Sequence, residues 1–369
     1  MPQGNKLLEQ LMHHYTKDDL LAMAHIKGIP AKSAERKAVI AEKVSEFLLQ
    51  PDTLTRYLLW CEDMDFYHIL AMAGVDVKED AADFGEELPW GFLHTGYFFV
   101  EDDDSAPCLP DDVQELMRKI WSSDLRTSHR QHAWVRRCLS LGVQLYGYLP
   151  YPILARLLRQ KVQYGVAVSA LPQLLKDIPP ELNPYSEDER GIYDQELEFL
   201  LPHLEFPAAE EDYYIPSAVE IENHIFYTTA FQAMMDQQEE SLRTKYRQPF
   251  LNIRAIMLHL CALKALECQE YTMPDLIVME GDPALCNADM GILTEMGTRL
   301  CVLFHKVDRH IRRICYHGFT YAEWETRNRT PSRALLTDAA QGAAPHIQQT
   351  AKVISLDEQR RQREKRNKK

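Results

Sequence analysis

The sequence predicts a mainly α-helical protein built from several modules, with one small β-hairpin. Three observations predict it. Apolar residues recur at three- and four-residue spacing through most of the chain, the period of a helix with one buried face. Helix punctuation recurs with them, in Gly28, Pro30, Pro51, Gly74 and Pro110, each placed where a helix must stop or can start. Only the stretch from Phe92 to Val100, with its return from Ala106 to Leu109, is dense in the aromatic and β-branched residues of a strand.

The first 50 residues form one unit. Leu7, Leu8, Leu11 and Met12 make a leading helix. Thr16, followed three residues later by Asp19, is an N-cap with an acidic first turn. Leu20, Leu21, Ala24 and Ile26 then give one apolar side, ended by Gly28 and Pro30. A second helix over roughly Ala34 to Leu49 buries Val39, Ile40, Val44, Phe47 and Leu48. That arrangement leaves Lys32, Arg36, Lys37 and Lys43 to solvent, the first candidates for phosphate contact.

The pattern D-L-L-x-x-A-x-x-x-G-I, then a basic residue and V-I-x-x-K-V, resembles the helix, loop, helix of SAP and Rho-N-terminal-like domains. In those families the module is associated with DNA or RNA, so the resemblance implies a nucleic-acid connection. The loop between Pro30 and Arg36 lacks the glycine common before the second helix. The alternative reading is a helical hairpin that packs on the next module.

Residues 51–120 continue with two helices divided near Cys61 to Asp65, carrying Leu58, Leu59, Trp60, Phe66, Ile69 and Leu70. The hairpin from Phe92 follows, then a helix opening at Pro110. Helix, helix, hairpin and helix together resemble a winged-helix module. Its tip, however, is Glu101, Asp102, Asp103 and Asp104, and four carboxylates there would be repelled by a duplex. The expected partner of that wing is therefore protein or solvent.

Residues 121–178 read as a long helix, a tight turn at Gly147 to Pro150, a helix from Tyr151 to Lys161, and a helix near Ala170 to Asp177. Three helices with short turns suit a helix-turn-helix core. Between 121 and 176 there are eight Lys or Arg and the single acid Asp124. Arg136, Arg137, Arg156, Arg159 and Lys161 are the expected phosphate contacts, because such cations release counterions on binding. The competing reading makes them the solvated faces of a connector.

Between 177 and 240 the balance reverses, with seventeen acids against Arg190 alone. Residues 179–215 read as an acidic linker with a short helix near Asp188 to Leu200. A helical domain over 216–326 follows, with an apolar stripe from Ile253 to Leu266 and a last block from Met290 to Tyr316. Its ending, G-F-T-Y-A-E-W from Gly318 to Trp324, loosely resembles the tail of some bacterial proteins of unassigned function. From 327 the periodicity fades into a basic tail, expected to be disordered or singly helical.

The whole chain has 369 residues and a net charge of −14, which opposes whole-molecule attraction to phosphate. No run of about eighteen apolar residues and no signal-peptide shape is present, so the expectation is a cytoplasmic protein with no membrane partner. The eight cysteines contain no CxxC pair and read as reduced, mostly buried thiols. His129, His132 and Cys138 lack further zinc ligands at suitable spacing. No common nucleotide, metalloprotease or hydrolase motif occurs. No catalytic residue, metal or cofactor is therefore nominated. The expected function is non-enzymatic contact with a nucleic-acid backbone, at low sequence specificity. The alternatives are a protein-interaction adaptor and an enzyme without a recognisable motif. DNA or RNA, or another protein, is the expected partner.

Overall fold

The computed structural model describes residues 6–77, 89–100, 108–195, 198, 201, 209–246 and 290–329. Mainly helical, it carries one small antiparallel sheet of three strands. The chain divides into two compact units, Met1–Ala322 and Glu323–Lys369. No helix among the described residues is long and apolar enough to cross a membrane.

The opening residues fold as the patterning requires. Helices α1 (Leu7–His14), α2 (Lys17–Ile26) and α3 (Lys37–Leu48) bury Leu7, Leu11, Leu20, Ala24, Ile40, Val44 and Leu48 completely. Thr16 caps α2 reciprocally: the Asp19 amide donates to Thr16 Oγ1 at 3.2 Å, and the Thr16 amide donates to Asp19 Oδ2 at 2.9 Å. Gly28, at φ +69°, closes α2 by letting the Ile29 amide reach back to Ala24 O at 2.8 Å. Helix α3 starts at Lys37 rather than near Ala34. Residues 32–35 are held in a turn, with the Glu35 amide on Lys32 O at 2.9 Å and the Lys32 amide on Glu35 Oε2 at 3.2 Å.

Helices α4 (Pro51–Trp60), α5 (Asp63–Met72) and α6 (Asp111–Ile120) complete a first core that runs from Leu7 to Leu125. Gly74 at φ +77° ends α5 in the same way as Gly28 ends α2. The strand expected from Phe92 is a correction. Residues Trp90–Thr95 form a 3-10 helix, in which Thr95 Oγ1 donates to Phe92 O at 2.6 Å. That local bond competes with a ladder, and among the described residues the pairing across is the single bridge of Phe99 with Cys108. The acidic tip Glu101 to Asp104 lies outside the described residues.

Helix α7 (Ser123–Tyr146) organises a second core. Trp134 Nε1 donates to Leu158 O of α8 (Tyr151–Leu158) at 3.1 Å. A Cβ on Gly142 would stand 2.8 Å from Leu149 Cδ2 and 3.0 Å from Leu157 Cδ1, so the helix and its neighbours approach closely only because this position is glycine.

Strands β1 (Tyr148–Pro150), β2 (Tyr185–Glu187) and β3 (Gly191–Asp194) form the sheet in the order β1-β3-β2, with Leu149 opposite Ile192. Two expectations are corrected here. The tight turn at Gly147 to Pro150 is a strand after Gly147, and the acidic helix near Asp188 gives way to β3. Asp188 decides the second: Oδ1 accepts from the Arg190 amide at 2.8 Å, the Gly191 amide at 3.0 Å and Tyr148 OH at 2.6 Å. A side chain that folds back on the following amides makes a hairpin turn out of an acid-rich, helix-like sequence.

Helices α9 (Leu171–Lys176), α10 (Ala218–Glu222), α11 (Thr229–Tyr246) and α12 (Met290–Val307) follow, and α13 spans Tyr321–Arg329. Arg312 is buried, stacked at 3.4 Å over Tyr214 and paired with Glu220 at 3.3 Å. The stripe Ile253 to Leu266 and the tail beyond residue 329 lie outside the described residues.

Candidate functional site

The candidate phosphate contacts fall into two groups, and the fold treats most of them as internal braces. In the opening unit, Lys43 Nζ donates to both oxygens of Glu35, at 2.7 and 2.9 Å, and to Pro30 O at 2.9 Å. Lys37 Nζ donates to Met12 O at 2.7 Å. The expectation that these two lysines stand free in solvent is therefore corrected: both are half-buried and tie the loop and α1 to α3. Lys32 and Arg36 are exposed.

On the second core, Arg136 Nη2 donates to Glu62 Oε1 at 2.8 Å, and Arg137 pairs with Asp63. Both bonds run from the middle of α7 to the start of α5. Arg156 Nη1 donates to Glu210 O at 2.6 Å, inside the acidic stretch. Lys161 pairs with Glu222 and lies 4.6 Å from the centre of the Trp134 ring. Arg159 is exposed and donates from Nε to Ala155 O at 3.1 Å, one turn back on its own helix. Lys32, Arg36 and Arg159 are exposed, and Arg137, though paired with Asp63, keeps 40% of its side chain exposed.

The pairing has an electrostatic consequence. A guanidinium and the carboxylate that holds it form a pair of no net charge, and meeting a phosphate requires that pair to break or share. Three cations of the basic block read from 121–176, Arg136, Arg137 and Lys161, are matched by acids at 62, 63 and 222, which the fold brings to them from both sides in sequence.

The residues that fasten the opening helices to the second core had no signature in the sequence. Lys27, with its side chain 1% exposed, pairs with Glu181 of the acidic stretch. Tyr57 joins them, accepting from Lys27 Nζ at 2.7 Å and donating to Glu181 Oε2 at 2.8 Å. Burial pulls the Lys27 ammonium below its usual range, and Glu181 opposes that shift. Beside this group Arg56 holds the end of α9, donating to Asp177 O at 2.6 Å and to Lys176 O and Ile178 O at 3.1 Å each. No local spacing connects residues separated by 154 positions in the chain.

Two titratable groups lie buried beside α5. His129 stacks on Phe66 with ring centres 3.7 Å apart, and burial pushes its pKa down to about 3. Asp65 is pushed up to about 6, chiefly by burial and then by Glu62, while the Gly91 amide works against the shift. His132 Nδ1 lies 2.7 Å from Ser128 O, and its ring meets Trp60 edge-on at 4.7 Å. These are packing positions for imidazoles, and among the described residues no three His, Cys, Asp or Glu converge as metal ligands. Cys61 and Cys138 are buried free thiols, raised in pKa mainly by burial, and Cys301 is an exposed one.

Two surface features remain. One is a cleft of about 590 Å³ between α5, α7, β3 and the end of α10, lined by Arg136, Arg137, Glu62, Asp63, Asp194 and Glu222 among others. The other is the loop Val162 to Val168 after α8. Val162 is 88% exposed and Val168 42%, while Tyr164 and Val166 are half-buried on the second core. No family model, curated protein or solved structure matches this chain.

Proposed function

We propose that this chain is a protein-interaction adaptor, without enzymatic activity of its own, that contacts a partner protein through the apolar loop Val162 to Val168. One observation carries the reading. Val162 is the most exposed of the large apolar side chains in the described residues, and it heads a loop with five apolar residues among seven. Singly exposed valines are ordinary, but here Val162 and Val168 stand exposed at the two ends of one short loop that Tyr164 and Val166 anchor to the second core, which presents them together to a partner protein. Burying a valine side chain is worth about 1.5–3 kcal/mol. The ion pairs of Arg136, Arg137 and Lys161 support the same choice, because they offset part of the charge on which a phosphate-backbone interface would depend.

The test places a benzoylphenylalanine photocrosslinker at position 162 or, as a control, at position 219, in the full chain expressed in its own cells. The adaptor reading predicts a discrete protein crosslink from position 162 that disappears when Val168→Asp is added. Crosslinks that are equal at 162 and 219, or unaffected by Val168→Asp, would remove the loop as the contact surface. The backbone-contact reading keeps Lys32, Arg36 and Arg159 as its exposed cations. It predicts instead salt-sensitive binding to DNA or RNA that Lys32→Glu and Arg36→Glu weaken.

A further inference from the structure

The loop Val162 to Val168 sets its two exposed valines beside a cation, and that juxtaposition states the chemistry of what covers them. Arg159, directly after α8, is exposed. A Cβ on Gly165 would stand 3.5 Å from Arg159 Cγ, so the stem of this arginine lies against the middle of the loop. Its Nε donates to Ala155 O at 3.1 Å, which leaves the Nη donors for an incoming acceptor. Among the described residues no carboxylate pairs with Arg159.

The other charge touching the loop is already matched. Lys161 pairs with Glu222 and lies 4.6 Å from the centre of the Trp134 ring and 5.9 Å from that of Tyr164. From Val162 to Leu175 the sequence carries no charged residue. Arg159 is thus the unmatched charge set against the valines, and it is positive. A nucleic-acid strand would meet this one guanidinium and leave the valines uncovered, whereas a backbone interface draws on several cations. A protein segment covers both features when it lays an apolar side chain on Val162 and Val168 and a carboxylate on Arg159. Resting on the adaptor reading above, we infer that the partner presents an acidic and apolar segment, with an Asp or Glu within about four positions of a Leu, Ile, Val, Met or Phe. The valines supply buried area, and Arg159 selects among apolar segments by charge.

Selection of a random-peptide phage library on the full chain, counter-selected on Val162→Asp, tests this. The expected result is a set of Val162-dependent peptides in which the acidic and apolar pattern is enriched over the unselected library. Their synthesised consensus, followed by fluorescence anisotropy, should bind Arg159→Glu about tenfold more weakly than the parent, a difference of about 1.4 kcal/mol. Its binding should also weaken as salt rises. Both positions are exposed, so the variants keep the fold, which circular dichroism checks. Val162-dependent peptides that are neutral or basic, or that bind Arg159→Glu as well as the parent, would overturn the acidic partner and leave the adaptor reading standing. A selection that yields no Val162-dependent peptide would overturn both. Binding of a labelled single-stranded RNA that is lost in Arg159→Glu and kept in Val162→Asp would assign Arg159 to phosphate instead.

Discussion

Replacing Glu181 by Gln removes the carboxylate paired with Lys27, 154 positions away in sequence, and should destabilise the protein strongly. The Lys27 side chain is 1% exposed, and beyond Glu181 it has the Tyr57 hydroxyl at 2.7 Å and the Tyr57 ring at 4.7 Å. Stripping one partner from a buried ion pair costs about 3–5 kcal/mol. The hydroxyl and the ring offset about 1 kcal/mol of that, so a loss near 3 kcal/mol is expected at neutral pH.

The pH dependence carries a sign. The Lys27 pKa in the folded state is already below its usual 10.5, so the unfolded chain binds the proton more tightly. Stability from this group therefore rises with pH as Lys27 deprotonates below that value. In Glu181→Gln the folded pKa falls further, and the deficit should shrink as pH is raised toward 10.5. The double variant Lys27→Met with Glu181→Leu, which removes both charges, should lie within about 1 kcal/mol of the parent. Urea unfolding followed by tryptophan fluorescence measures all three. A loss below about 1 kcal/mol for Glu181→Gln, or one that stays constant with pH, would refute the buried-pair argument.

Further outcomes are expected on the same physical grounds. Thr16→Ala removes a reciprocal cap and should cost about 1 kcal/mol in urea unfolding. Gly142→Val forces side-chain carbons into Leu149 and Leu157 and should cost about 1–3 kcal/mol or more. Asp65, with a folded pKa near 6 against 3.8 ordinarily, weakens the fold as pH rises through that interval. Asp65→Asn should therefore stabilise at neutral pH by about 1–2 kcal/mol and flatten the dependence. His129 acts in the other direction: held neutral down to about 3 against 6.5 ordinarily, it withdraws stability as pH falls across that window, and His129→Leu should make acid unfolding shallower there.

Helices with strong punctuation were legible in the sequence. Thr16 with Asp19, Gly28 and Gly74 set their boundaries through local hydrogen bonds, which is why spacing alone located them. The start of the strand expected from Phe92 and the acidic stretch were misread, because the deciding contacts are side chains folding back on nearby backbone. Thr95 bonds to Phe92 O, and Asp188 bonds to the amides of Arg190 and Gly191. Neither alters the hydrophobic period. The basic residues were located correctly as a block, yet their roles were hidden. Glu62 and Asp63 precede Arg136 and Arg137 by 74 residues, and Glu222 follows Lys161 by 61. Charge counted along a chain records neither which acids the fold brings alongside nor which cations stay exposed.

Fluorescence anisotropy with labelled duplex DNA, single-stranded DNA and RNA at low and moderate salt bears most directly on the role of the basic helices. The parent chain is compared with one carrying Arg136→Gln, Arg137→Gln, Arg156→Gln and Lys161→Gln, its fold checked by circular dichroism. If these side chains brace the structure, the two proteins give the same anisotropy with every probe at both salt concentrations. Salt-sensitive binding by the parent that is lost in the folded variant would make the basic helices a phosphate-contact surface and contradict the adaptor reading.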